Sequence, residues 1–282
     1  MSESEGYHVI IIGAGLAGAA LAHYLAEEDR RVAVLEATES PGGTLKQGPG
    51  LALLGTATPS PASSQALDEP RALDLWKLSY DNLDLLEKAL QQAELPSRRV
   101  GSRRLATTAL EAEAFRQWAE QLKGHGYTVT YEEANDVLDA LLEQGDALRY
   151  TGLVSTIDDI QFEPEPLIHS LLDHENITVE PQTEAYKVEP HTDVGLTIWA
   201  HNHYLWADKV VVANGIHASR LSQTFAEKLS PVHVHTMLVK EMPTLPAPLI
   251  LKQGRVVALN TQTEGGGYLI ASGSESVDLL RI

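Results

Sequence analysis

Residues 13–18 read Gly-Ala-Gly-Leu-Ala-Gly, the pattern G-x-G-x-x-G, and their setting constrains the fold more than any other feature of the chain. Before them runs Tyr7-His8-Val9-Ile10-Ile11-Ile12, a β-branched stretch patterned like a buried parallel strand. After them a helix is expected through Glu28, with Leu16, Ala20 and Tyr24 at helical spacing, and Val32-Ala33-Val34-Leu35 reads as a second strand. Strand, glycine-rich turn, helix and strand within about thirty residues make a βαβ unit, the context this pattern needs to mean dinucleotide binding. Each glycine has its own task. Gly13 permits the tight turn, Gly15 lets the backbone approach a pyrophosphate, and Gly18 lets the helix pack against the strand. The helix amino end then offers unpaired N–H groups to phosphates. Glu36 closes the second strand 21 residues after Gly15, where an acid hydrogen-bonds a ribose hydroxyl. Its charge argues against a 2′-phosphorylated ligand.

Composition removes several other readings. With 39 acidic and 21 basic residues the formal charge is 21 − 39 = −18, a field that repels nucleic-acid backbones. The densest basic stretch, Arg98-Arg99-Val100-Gly101-Ser102-Arg103-Arg104, is expected to be a solvated turn. The absence of cysteine excludes disulfides, thiolate catalysis and zinc–thiolate sites. His233-Val234-His235 and His201-Asn202-His203 are i, i+2 pairs without an acidic third ligand at a recognised spacing, so no metal site is assigned. The first apolar run, Val9 to Ile12, is too short for a signal peptide, and no stretch is long enough to span a membrane. The plain reading is cytoplasmic.

Further along, residues 40–64 are rich in Gly, Pro, Ser and Thr and are expected to form a long functional loop. A helix starts near Pro70 with Leu73, Trp76, Tyr80, Leu83, Leu86 and Leu90 on one face, read as core packing. Thr108-Ala109-Leu110-Glu111 matches a capping box for a helix that carries Phe115, Trp118 and Leu122 and stops at Gly124. Another helix is expected over Glu132 to Gln144, and one opens at Pro166 and runs through Leu167, Leu171 and Leu172. Strands follow at 177–179, 186–189, 196–199 and, most clearly, at the buried run Lys209 to Ala213 that ends on Asn214-Gly215. Val232 to Ile270 is β-like, with a turn at Gly265-Gly266-Gly267. The expected class is α/β: a Rossmann-type dinucleotide domain interleaved with an α+β substrate domain. The segments are 1–92 and 157–222 for the first, 93–156 and 223–282 for the second.

Which dinucleotide binds is answered by resemblance. Glu36-Ala37-Thr38-Glu39-Ser40-Pro41-Gly42-Gly43-Thr44 looks like the start of the glutathione-reductase-like flavoproteins. Ile160-Gln161-Phe162-Glu163-Pro164-Glu165-Pro166-Leu167 resembles the x-x-D-P-x-x-L element of the FAD-dependent D-amino-acid oxidase superfamily, which includes glycine and sarcosine oxidases. Ala207-Asp208-Lys209-Val210-Val211-Val212-Ala213-Asn214-Gly215 resembles its A-D-x-V-V-x-A-x-G strand, and Ser230-Pro231-Val232 sits where members carry P-V-x-G. The resemblance implies FAD as cofactor, held by Gly13, Ala14, Gly15, Leu16, Gly18, Glu36, Ala37, Gly42, Gly43 and Thr44. By the same likeness the backbone of Ala185 meets the adenine, Ala213 and Gly215 line the cofactor, and His217 stands where the family often has an aromatic residue.

The reaction implied is hydride transfer to flavin from a carbon beside an amine nitrogen, on a small amine or amino-acid substrate. No catalytic residue is assigned: Val256 aligns near the active-site tyrosine of glycine oxidase, and the family's substrate arginine and G-H-x-x-x-G stretch come from a segment after the point where this chain ends. The 282 residues alone are therefore expected to turn over weakly or not at all, with a flavin site open on one side and a tendency to self-associate, so an oligomer is allowed. Two other readings stay open. Ala213-Asn214-Gly215 and Ser219 to Thr224 look like the FAD domain of a tRNA wobble-uridine modifying enzyme, and a non-catalytic nucleotide-binding subunit fits the short C-terminus.

Overall fold

A computed structural model of the chain describes residues 6–48, 50–55, 69–134, 150–191, 195–201, 203–231, 234–240, 244–251, 256–260 and 266–272. The chain forms two compact units. One holds residues 1–48 and 163–231, the other 49–162 and 232–282. Residues 49–92, assigned from the sequence to the first FAD-binding segment, thus lie in the second unit.

The first unit is built on β1 (Tyr7–Ile12), α1 (Leu16–Glu27) and β2 (Val32–Leu35). α2 (Glu69–Gln92) and α3 (Ala109–Gly124) belong to the other unit; α4 (Pro164–Leu172) returns the chain to the first. There it adds β9 (Ile177–Glu180), β10 (Ala185–Pro190), β11 (Leu196–Ala200), β12 (Tyr204–Val212), a 3₁₀ turn at Gly215–Arg220 and α5 (Gln223–Lys228). Its sheet runs β10-β11-β12-β1-β2-β9. β12, β1, β2 and β9 are parallel, and β10-β11-β12 is an antiparallel meander on one edge. Val9, Ile11, Val32 and Val34 pack one face against α1 and α4, while Ile10, Ile12, Ala33 and Leu35 pack the other. Both faces of β1 and β2 are thus covered, which is why they read as continuous apolar runs.

The fold fixes details of two helices. The buried stripe of α1 is Gly18, Ala19, Ala22 and Ala26. Of the residues whose spacing marked the helix, Leu16 packs against this core while Tyr24 is 65% exposed. At Gly18 the helix comes so close to the end of β1 that a Cβ would meet the Gly13 carbonyl, while Leu16, Leu21 and Leu25 pack at the margin of the stripe. The helix expected at Pro166 starts at Pro164, a proline in the first turn where no N–H is needed.

In the second unit, β5 (Ser102–Ala106), β6 (Val129–Glu133), β7 (Gly152–Thr156), β13 (Val234–Lys240), β14 (Leu249–Leu251), β15 (Val256–Asn260) and β16 (Gly266–Ser272) form one sheet in the order β13-β16-β15-β14-β5-β7-β6. A three-stranded sheet joins β3 (Leu51–Ala52), β8 (Ile160–Phe162) and β4 (Ser97–Arg99) in the order β3-β8-β4. Glu132 and Glu133 lie in β6, paired with Leu153 and Gly152, so the helix expected from Glu132 does not start there. The rest of that expectation, from residue 135, falls outside the described residues, as does much of the expected 40–64 loop. Gly266 and Gly267 pair with Lys240 and Val239 in a strand rather than turning. The helix at 109–124 is capped as expected by the Thr108 hydroxyl on the Glu111 N–H, but the Glu111 carboxylate returns to the N–H and hydroxyl of Thr107 instead of Thr108. The left-handed residue after this helix is Gly126, not Gly124.

The arginine-rich stretch is not a solvated turn. Arg98 and Arg99 end one strand and Arg103 and Arg104 begin another. Arg99 is held by Glu87 and Asp158 at 2.7 and 2.9 Å. Arg104 is 2% exposed, donates to the Leu54 carbonyl at 3.1 Å, and leaves Nε and Nη1 without a partner. Burial pulls its pKa down, and the fully buried Asp159 carboxylate pushes it back up. Asp159 accepts from the Leu54 N–H at 2.6 Å and from the Thr156 hydroxyl. Leu54 is therefore gripped through its N–H by a carboxylate and through its carbonyl by a guanidinium.

Candidate cofactor site

The site is the crest of the first sheet, where β1 and β12 end side by side. Gly13 follows β1 with φ +109°, a conformation that disfavours any side chain. A Cβ there would also lie 2.8 Å from the Ala213 carbonyl, so this glycine serves close approach as well as the turn. At Gly18 a Cβ would sit 2.0 Å from the Gly13 carbonyl, which leaves glycine as the residue that fits. Gly15 differs: nothing lies within 4 Å of its absent side chain. The three glycines divide into two that the fold needs and one that the empty space beside it needs.

Leu16 opens α1, whose amino end has no side-chain cap and no acidic residue in its first turn. The macrodipole there favours an anion. Gly42 and Gly43 return over the loop: the Gly42 N–H donates to the Ala14 carbonyl at 2.9 Å, and a Cβ on Gly43 would come 3.8 Å from the Gly15 Cα. Both have positive φ, which a residue with a side chain adopts only with strain. Thr44 is exposed at the start of a 3₁₀ turn over Gly43–Gln47, and Ala37 is exposed after β2.

Glu36 is 7% exposed and does more than face a ligand. One oxygen accepts from the Ala14 N–H at 3.1 Å, the other from the N–H and hydroxyl of Thr38 at 2.9 and 2.8 Å. A carboxylate offers roughly four lone-pair positions, so about one remains for a ligand hydroxyl. Thr38 is a partner that the sequence reading did not single out, although a threonine two residues after an acid is a common local pairing. Beside it the Thr183 N–H donates to the Glu36 carbonyl at 2.8 Å, which brings the strand start at Ala185 toward the acid. The Ala185 side chain is part of the core with Ile10, Ile12 and Leu35, so it offers a ligand its backbone alone. Because Glu36 also holds the loop, Glu36→Ala is expected to destabilise the ligand-free protein by about 2 kcal/mol, since two backbone donors lose a charged acceptor. Chemical denaturation measures this, and unchanged stability would show that the loop holds without it.

On the β12 side, the Ala213 N–H donates to Ile12 at 2.8 Å, and Gly215 has φ +57° with open space where a side chain would be. His217 is exposed in the 3₁₀ turn. All thirteen expected contact residues belong to the first unit. Val256, the position aligned with a catalytic tyrosine, is buried in the second unit in a core with Leu105, Leu153, Leu249 and Leu251. Among the described residues no group of acidic and histidine side chains could hold a metal. His233 and Asn202 lie outside them. No helix among the described residues is long and apolar enough to cross a membrane.

The fold resembles that of solved enzymes over nearly the whole chain. Glycine oxidase from Geobacillus kaustophilus superposes with TM-score 0.74 at 22% identity, covering 95% of this chain and 71% of that one. Glycine oxidase from Bacillus cereus gives 0.69 at 20%, covering 97% and 76%. L-proline dehydrogenase from P. horikoshii gives 0.69 at 15%, covering 94% and 69%. No curated protein sequence matches the chain. The profile of the FAD dependent oxidoreductases called DAO matches residues 8–279, and with that match the chain belongs to this family of FAD-dependent oxidoreductases.

Proposed function

We propose that this FAD-dependent oxidoreductase oxidises the C–N bond of a small amine or amino acid. The observation that carries the reading is the family match over residues 8–279 on a unit whose dinucleotide loop is open at Gly15 alone. The proteins of like fold point the same way: glycine oxidases, an L-amino acid deaminase and an L-proline dehydrogenase.

The residues present fit FAD. The space at Gly15 is what a diphosphate passing the helix amino end would fill, and Glu36 keeps an acceptor position for a sugar hydroxyl. Gly13, Ala14, Gly15, Leu16 and Gly18 would hold the diphosphate through backbone N–H groups and the α1 dipole. Glu36 and Ala37 would meet a ribose, and the Ala185 backbone the adenine. Gly42, Gly43 and Thr44 would close over the loop, while Ala213 and Gly215 give the cofactor a wall without side chains. FAD supplies the hydride acceptor, leaving an imine that water hydrolyses. The protein's part is to orient the substrate carbon and keep its amine deprotonated.

The test has two steps. Purified protein should show a flavin absorbance band, and acid precipitation should release the colour into the supernatant, because FAD is held non-covalently. Anaerobic mixing with glycine, sarcosine, D-amino acids, L-proline or wobble-modified tRNA should bleach the band with a small amine or amino acid. Bleaching by the tRNA alone would move the protein to the tRNA-modifying reading. A bound flavin that no amine or amino acid reduces would overturn the C–N assignment.

A further inference from the structure

Asn214 stands two residues after the end of β12, where the chain meets the dinucleotide loop. A Cβ on Gly13 would lie 2.8 Å from its Cα, so its backbone is flush with the turn that approaches the ligand. It occupies the N-cap position of the 3₁₀ turn Gly215–Arg220, where an asparagine ordinarily turns its side-chain oxygen onto the first N–H groups. Here it makes no such bond: the His217 N–H is taken by the Asn214 backbone carbonyl at 3.2 Å instead. The side-chain Oδ1 is buried and has no hydrogen-bond partner.

An unpaired buried carbonyl costs about 1–3 kcal/mol. With φ −92° and ψ 23° the Asn214 backbone is not in the extended conformation from which a side chain caps a turn, so the 3₁₀ turn does not satisfy Oδ1. Among the described residues no donor reaches it, which leaves it open to a donor from a ligand. The chemistry of the missing partner is restricted. A carbonyl oxygen repels phosphate oxygens, which are acceptors, so with Oδ1 facing inward the diphosphate is not its partner. A sugar hydroxyl or an amino group donates and fits.

We infer that Asn214 is a cofactor-contacting residue whose Oδ1 accepts a hydrogen bond from a hydroxyl or amino group of bound FAD. The inference rests on the assignment of FAD to the loop at Gly13–Gly18. It adds a side-chain contact in a segment where Ala213 and Gly215 offer only backbone. It also makes the apoprotein carry an unfavourable group that binding relieves, so that part of the cofactor affinity comes from an orphan acceptor being satisfied.

Asn214→Leu, close in volume and without an acceptor, separates the two states. Its apoprotein should melt at or above the wild-type temperature, since a buried unpaired oxygen is gone. Its FAD dissociation constant, from flavin fluorescence titration, should rise roughly five- to tenfold, the worth of one hydrogen bond. ADP and FMN used as separate probes locate the donor: only the half that carries it should lose affinity in the variant. Wild-type affinity for FAD, ADP and FMN would overturn the inference and mean that a water satisfies Oδ1. A fall in apoprotein stability that accounts for the weaker binding would also overturn it, making Asn214 structural. Should the leucine variant not fold, Asn214→Ala carries the same comparison. Gly15→Val run in parallel tells the two failures apart. If that variant keeps FAD, the loop assignment is wrong; if it loses FAD and Asn214→Leu does not, only the Asn214 contact is wrong.

Discussion

Gly15→Val is expected to lose FAD binding by at least about a hundredfold, roughly 3 kcal/mol, while the apoprotein keeps its circular dichroism and melting temperature. The reason is geometric. The backbone at Gly15 has φ −75° and ψ 178°, which any residue adopts, and nothing lies within 4 Å of the position where a side chain would begin. A side chain therefore begins there without backbone strain and with its Cβ clear of other protein atoms. It does fill the gap between the loop and the approaching diphosphate, and it separates that group from the N–H groups of α1. Gly18→Val is the control, with the opposite pattern. Its Cβ would begin 2.0 Å from the Gly13 carbonyl, so the helix must shift away from the strand and the apoprotein itself should suffer. If Gly15→Val binds FAD normally, the diphosphate does not pass this loop.

Asp159→Ala should be the most destabilising single substitution in the second unit, at about 3–5 kcal/mol in chemical denaturation. Asp159 is fully buried and is the counter-charge that acts on Arg104, itself 2% exposed. Removing the carboxylate leaves a buried guanidinium whose only hydrogen bond among the described residues is to the Leu54 carbonyl. It also orphans the Leu54 N–H and takes one partner from the Thr156 hydroxyl, which keeps the Ser102 hydroxyl at 3.1 Å. Adding Arg104→Leu to Asp159→Ala should recover part of the loss, because the uncompensated charge leaves with it. A double-mutant cycle reads that coupling directly. Strict additivity of the two would show that Arg104 and Asp159 act independently.

The arginines at 98–104 show where linear reading stops. Four arginines in seven residues look alike in sequence. The fold places one against Glu87 and Asp158 and buries another beside Asp159, partners 12 to 59 positions away. Burial of a charge depends on a distant counter-charge, and no local pattern records where that lies. The same holds for Glu132 and Glu133. Their neighbourhood has helical composition, yet a strand partner at Gly152-Leu153 puts them into a sheet. Strand pairing is a non-local bond that outweighs weak local propensity. Helical spacing located α1, but its buried stripe of Gly18, Ala19, Ala22 and Ala26 was left to the packing, because which face is covered depends on where the helix sits on the sheet.

What the sequence determined by itself is the dinucleotide unit. The strand pattern of Tyr7–Ile12, the glycine spacing and Glu36 are short-range signals, and a βαβ turn is made by short-range sterics: φ beyond reach of other residues at Gly13, and no room for a Cβ at Gly18. Tertiary structure alone decided that Glu36 accepts from the Ala14 N–H and that β12, nearly two hundred residues later, brings Asn214 flush against Gly13 with its amide oxygen unpaired. Those relations follow from which strands pair and how far the helices close on them. Both are properties of the packed sheet, because hydrogen-bond partners and excluded volume are set by residues distant in the chain.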